Sequence, residues 1–131
     1  MKINKFHFYF GLATFTGFVI TGILMRMNIF ETRETDILKR MMFRSNHIYI
    51  LFASLLHLVI SFVNPEIQTT RLLWIKNFGS TLCILTTITL YIAFFIDPIS
   101  ESIQRDITRF SIVGLFSGLI LLLLTYKLSK E

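Results

Sequence analysis

Four apolar runs, each about as long as a bilayer is thick, most constrain what this chain can fold into. A helix of about 20 residues crosses the roughly 30 Å hydrocarbon core of a membrane. With 53% hydrophobic residues in 131, a soluble domain of this size could not bury its apolar surface. The sequence therefore predicts an all-α polytopic membrane protein, a single-domain four-transmembrane-helix up-and-down bundle. The predicted spans cover about 6–25, 46–63, 77–96 and 110–126.

The ends of these runs carry residues that start and stop helices. Lys2 and Lys5 precede the first run, and no small-residue cleavage pattern ends it, so we expect a retained span and not a signal peptide. Acidic residues flank Thr35 and basic residues follow them, which is the order that the helix dipole favours. The second helix is therefore expected to begin outside the membrane, at about residue 35. Asp97, followed by Pro98, ends the third run and has the pattern of an N-cap for a short surface helix.

Basic residues are almost equally divided between the two ends of the predicted bundle. Six of the 13 Lys and Arg residues fall on the side of the termini and seven on the opposite side. The positive-inside rule needs an excess on one side, so the orientation stays undetermined. We expect an integral membrane protein, with the bacterial inner membrane as its location, that forms a homodimer or joins a larger membrane complex. The basic residues flank apolar runs and form no patch, which argues against a nucleic-acid partner.

The second span carries the strongest functional indication in the sequence, a polar stripe on an apolar helix. At about 100° per residue, the polar side chains fall within an arc of roughly 140°. Ionisable groups left in hydrocarbon are costly, so this stripe is expected to face protein, water or a cofactor. Its members are Arg40, Arg44, His47, Ser54, His57 and Ser61.

His47 is the primary candidate for binding b-type haem. Histidines on the inward faces of helical bundles are usual protein ligands of haem iron. Arg44 lies one turn before His47, the spacing at which a guanidinium can pair with a haem propionate at the level of the lipid headgroups. The second axial ligand would be His47 of a second copy, or a methionine. Met25 and Met27 end the first span on the same side of the membrane, and Met41 and Met42 are nearby.

His57 and His7 are the candidates for a second haem site. His57 lies ten residues after His47, about 15 Å along the helix axis, and so belongs to the other half of the bilayer. There it approaches His7 at the start of the first span, although His7 is expected several ångströms closer to the membrane surface. Two haem sites at different depths would suit transmembrane electron transfer.

Two other classes of function stay open. One is a structural or assembly subunit of a larger membrane complex, packed through small residues such as Gly114 and Gly118, which have GxxxG spacing. The other is transport. The chain resembles the small multidrug-resistance exporters in size and layout, but it lacks their carboxylate inside the first span. A relay through His47 and His57 would have to carry protons instead.

Several enzyme and metal sites are excluded by the residues present. The sequence contains no HExxH, no CxxC and no glycine-rich phosphate loop, and its one cysteine, Cys83, cannot form an intrachain disulfide. A zinc site needs three or four converging ligands, whereas the three histidines are expected at different depths. The sequence does not decide whether the chain is an enzyme.

Overall fold

A computed structural model describes residues 4–27, 37–63, 67, 69–99 and 104–129. Within these residues the chain forms four α-helices and no strand. The helices are α1 (Lys5–Arg26), α2 (Ile37–Phe62), α3 (Thr70–Ile96) and α4 (Asp106–Leu128). The predicted all-α four-helix bundle is confirmed. The predicted start of the second helix near Thr35 lies outside the described residues.

All four helices are long and apolar enough to cross a membrane. They contain 22 to 27 residues, and about 20 suffice to cross the hydrocarbon core. Large apolar side chains cover the outside of the bundle, where Trp74 is 73% exposed and Phe110 is 77% exposed. Such a surface is costly in water but is well solvated by acyl chains. The protein is therefore embedded in a membrane.

The helices pack as two hairpins. α1 packs along α2, α3 packs along α4, and the hairpins meet mainly where α2 packs on α3. The core contains Ile50 and Ala53 of α2, Leu90 and Phe94 of α3, and Leu115 of α4. Along the described residues, the backbone of α1 does not come close to that of α3. Long side chains therefore have to bridge the gap between α1 and α3.

Small residues let α4 approach α3 closely. A Cβ atom added to Gly118 would lie 2.6 Å from Cys83 Sγ and 2.8 Å from the Gly79 carbonyl oxygen, distances shorter than real Cβ contacts. Glycine is therefore needed at this position for the two backbones to meet. The close packing predicted from the GxxxG spacing occurs within the molecule, between α4 and α3.

Asp97 ends α3 and does not begin a new helix. Its backbone is helical, with φ −58° and ψ −41°, and its N–H donates to the Ala93 carbonyl oxygen. An N-cap residue has a non-helical backbone, so the prediction that Asp97 caps a surface helix is wrong. Its carboxylate instead accepts a hydrogen bond from Thr108 of α4, which ties the two ends of this connection together.

Candidate functional site

His7 and His57 meet in the interior of the bundle. Both imidazoles are buried, with 1% and 0% exposed, and the ring planes are within 19° of parallel, with 5.0 Å between their centroids. Their Nδ1 atoms are 2.8 Å apart. Phe10 packs edge-on against the His57 ring at 4.8 Å and adds an apolar wall to the pair. Two ionisable side chains thus share one buried position.

The register of α1 on α2 brings the two histidines to the same depth. The Asn4 N–H donates to the Ser61 carbonyl oxygen at 2.8 Å, so the start of α1 is tied to the end of α2. Gly11 lets α1 lie directly against Leu58. The sequence predicted that His7 would lie closer to the membrane surface than His57. The hydrogen bond at Asn4 explains why the two rings instead lie side by side.

Hydrogen bonds run from the histidine pair to α3 at both ends. His7 Nε2 lies 2.6 Å from Ser80 Oγ, and His57 Nε2 lies 3.0 Å from Thr87 Oγ1. Ser80 and Thr87 are two helical turns apart, so the pair spans the distance between them. All four ring nitrogens of the pair have a hydrogen-bond partner. We refer to Ser80, His7, His57 and Thr87 as the histidine chain.

When both imidazoles are neutral, all hydrogen bonds of the histidine chain point in the same direction. The Thr87 hydroxyl donates to the Cys83 carbonyl oxygen at 2.8 Å, so it accepts from His57 Nε2. His57 Nδ1 then carries a lone pair and accepts from His7 Nδ1. His7 Nε2 in turn accepts from the Ser80 hydroxyl. Each group therefore donates to the next, from Ser80 to Thr87; the hydrogen positions are inferred from this network.

The pair is too close to hold a metal ion between its nearest nitrogens. Two metal–nitrogen bonds of about 2 Å each need nitrogens about 4 Å apart, whereas the two Nδ1 atoms are separated by 2.8 Å. The sequence predicted His7 and His57 as ligands of haem iron, and iron would have to displace one of the three hydrogen bonds of the pair. Across the described residues, no three His, Cys, Asp or Glu side chains converge as a metal site.

His47 lies apart from this pair, between α1 and α2, and its ring stacks on Phe18 at 4.1 Å. Its Nδ1 lies 3.0 Å from Thr21 Oγ1, and the Thr21 hydroxyl donates to the Phe18 carbonyl oxygen. His47 Nδ1 therefore carries the proton, which leaves the Nε2 lone pair for a ligand. Gly22 faces this edge of the ring, because a Cβ added there would lie 3.3 Å from Nε2.

The predicted polar stripe of α2 is buried at one end and exposed at the other. His57 and the two serines are buried, His47 is half-buried and Arg44 is exposed. The deep part of the stripe therefore faces protein, as predicted, whereas Arg44 lies on the outer surface. Met25, the other predicted haem ligand, is half-buried and packs against the apolar core. The structure thus brings together His7 and His57 but not all five predicted site residues.

A second buried polar cluster, around Asn46, does not follow from the sequence stripe. Asn46 is fully buried, and its Nδ2 donates to the Ala93 carbonyl oxygen at 2.9 Å. Its Oδ1 accepts from Arg105 and lies 3.0 Å from Thr108 Oγ1. Arg105 Nε lies 3.9 Å from a carboxylate oxygen of Asp97. The sequence feature that could have indicated this cluster is the Asn46 amide, because asparagine in an apolar run usually faces another helix.

Comparison with known proteins adds no family to this geometry. The sequence matches no protein-family model, and no curated protein or solved structure matches it.

Proposed function

We propose that this chain is a small membrane transport protein in which the histidine chain carries protons. The observation that supports this function is the unbroken series of hydrogen bonds from Ser80 through His7 and His57 to Thr87. Imidazole suits such a path because it can take up a proton at one nitrogen and release one from the other. Ionisable residues buried in a membrane bundle commonly mark proton or ion pathways.

Proton transfer would begin at Ser80, the half-buried end of the histidine chain. A proton bound by Ser80 Oγ lets the serine pass its hydroxyl proton to His7 Nε2. His7 gives its Nδ1 proton to His57 Nδ1, and His57 gives its Nε2 proton to Thr87, which passes its own hydroxyl proton to a water molecule. One proton enters and one leaves. After this transfer, the donor and the acceptor of every hydrogen bond in the histidine chain have exchanged. The side chains must therefore reorient before a second proton can follow.

Polar groups continue from Thr87 toward the opposite side of the membrane. Tyr91 lies one turn after Thr87, about 6 Å along the axis and on a similar face of α3. Its hydroxyl donates to the Thr14 carbonyl oxygen across the gap between α1 and α3. This arrangement favours a route that extends past the histidine pair into the middle of the bundle.

A structural or assembly subunit is the competing function. The same hydrogen bonds join α1, α2 and α3, and every ring nitrogen of the pair is satisfied, as a purely structural polar cluster requires. The two functions differ in one measurable respect. Only the transport function requires that the protein move protons across a bilayer.

The test is proton movement into vesicles that contain the purified protein and a pH-sensitive dye. With a potassium gradient and valinomycin setting the membrane potential, wild-type vesicles should change internal pH faster than protein-free vesicles. Ser80→Ala removes the hydroxyl that supplies His7, and it should slow this change at least about tenfold. Ser117→Ala is the control, because that hydroxyl is exposed and donates to the Val113 carbonyl oxygen of the same helix. Equal rates in wild-type and protein-free vesicles would contradict the proposed function.

A second candidate function is the binding of b-type haem at His47. The observation that favours it is the anchored ring: His47 Nδ1 donates to Thr21, which leaves Nε2 to coordinate iron. Exposed Arg44, one turn earlier, would pair with a propionate. Because Gly22 faces Nε2, haem would require α1 to withdraw locally, with a second copy of the chain supplying the other ligand. Bound haem would supply one-electron transfer chemistry.

Haem binding is tested by adding haemin to purified protein and measuring the Soret band and the haem-to-protein ratio. His47→Ala should abolish haem retention while leaving membrane insertion intact, and His57→Gln should retain the wild-type ratio. Unchanged haem content in His47→Ala, or no Soret band in the wild type, would remove His47 as a ligand.

A further inference from the structure

A groove of about 280 Å³ runs between α2 and α4, and it is lined by apolar and aromatic side chains. Its walls include Ile48 and Phe52 of α2 and Ile112 and Phe116 of α4, and Leu90 of α3 forms its floor. Ile48, Phe52 and Phe116 are between 41% and 60% exposed, so the groove is open to the surrounding lipid. Its volume suits one segment of an acyl chain and is far too small for a protein helix.

Arginines continue the walls of this groove toward one membrane surface. On α4, Arg105 and Arg109 fall within roughly 60° of Ile112 and Phe116 on the helical wheel. On α2, exposed Arg44 lies one turn before Ile48. All three arginines thus precede the groove-lining residues of α2 and α4 in the chain, at the same end of the groove.

The position of Arg105 shows that the two arginine-bearing helix ends lie at a similar depth. Its guanidinium lies over the Tyr49 ring, 5.9 Å from the ring centroid, and Tyr49 itself lines the groove. Arg105 also donates to Asn46, so its place beside α2 is fixed by a buried group. Arg109 is largely exposed, and its guanidinium lies 4.0 Å from the Asp106 carboxylate. A phosphate at this level would meet several guanidinium donors.

We propose that this groove binds one anionic phospholipid, with an acyl chain between α2 and α4 and its phosphate against Arg44 and Arg109. A groove this narrow in a bilayer is filled by the lipid beside it, and the guanidinium groups select a negatively charged headgroup. A second copy of the chain fits this groove less well than a phospholipid does. Two-fold association through this groove would bring the same arginines of both copies together, and like charges repel. This site is separate from the histidine chain and does not depend on its function.

Native mass spectrometry of the detergent-purified protein tests this site, with phosphatidylglycerol and phosphatidylcholine as the two probes. One phosphatidylglycerol molecule should bind at least tenfold more tightly than phosphatidylcholine. The double variant Arg44→Gln with Arg109→Gln should remove this preference. The control is Arg26→Gln with Lys127→Gln, which makes the same change in net charge away from the groove and should leave the preference intact.

A second pair of variants tests the groove itself. Ile48→Trp places a large ring in the groove and should displace the bound lipid, with at least a tenfold loss of affinity. Val113→Trp is the control, because Val113 is 64% exposed and does not line the groove. Equal affinity for the two lipids, or equal effects of the two tryptophans, would overturn the proposal. A protein dimer that resists phosphatidylglycerol and is lost in Ile48→Trp would also overturn it, because the occupant would then be a second copy.

Discussion

Proton movement through reconstituted vesicles is expected to fall by on the order of 100-fold or more when His57 is replaced by glutamine. A glutamine side chain can still hydrogen-bond His7 and Thr87, so the contacts between α1, α2 and α3 are largely kept. Its amide cannot take up and release protons near neutral pH, which breaks the path at its centre. The measurement is the initial rate of internal pH change at a fixed membrane potential.

His47→Gln is the matched control for this variant. It makes the same chemical change on the same helix, but His47 bonds Thr21 and is not part of the histidine chain. We expect this variant to move protons at the wild-type rate and to lose any bound haem. If both variants conduct equally, protons do not pass through His57. If His57→Gln also loses its helical circular dichroism, His7→Gln provides an independent break in the same path.

Gly118→Leu is expected to have the largest effect on stability. Even a Cβ atom at this position would lie 2.6 Å from Cys83 Sγ and 2.8 Å from the Gly79 carbonyl oxygen, so leucine must push α4 away from α3. Overpacking of this kind costs about 3 kcal/mol of the free energy of unfolding. Unfolding by sodium dodecyl sulfate in mixed micelles, followed by circular dichroism, measures this loss.

Ser117→Leu is the control for the glycine substitution, because Ser117 is exposed and faces the lipid. Its unfolding free energy should stay close to that of the wild type. Equal unfolding curves for Gly118→Leu and wild type would show that α3 and α4 do not pack as closely as described.

The number and approximate extent of the helices could be predicted because apolar length is a strong and local signal. The GxxxG spacing of Gly114 and Gly118 also indicated close packing of the fourth helix. The predictions were less accurate where they depended on the rotation and register of one helix against another. These quantities are set by contacts between residues far apart in the chain.

The histidines illustrate this limit. The sequence indicated that His57 and His7 lie in the same half of the bilayer, but their direct contact depends on the bond between Asn4 and Ser61. Asp97 has the local pattern of an N-cap, yet its partner Thr108 lies in the next helix. In the same way, the exposure of Arg44 depends on which face of α2 the other helices cover.

The separation of α1 from α3 has a mechanical consequence. The seam between α1 and α3 is crossed by the hydrogen bonds from Ser80 to His7 and from Tyr91 to Thr14, with little backbone packing beneath them. Such bonds contribute only about 0.6 kcal/mol each within membranes, so the seam is among the least costly parts of the bundle to open. His7, which forms one of these two hydrogen bonds, is also a side chain that can gain a proton. Protonation of His7 and the spacing of α1 and α3 are therefore thermodynamically linked, and a change in either one alters the free energy of changing the other.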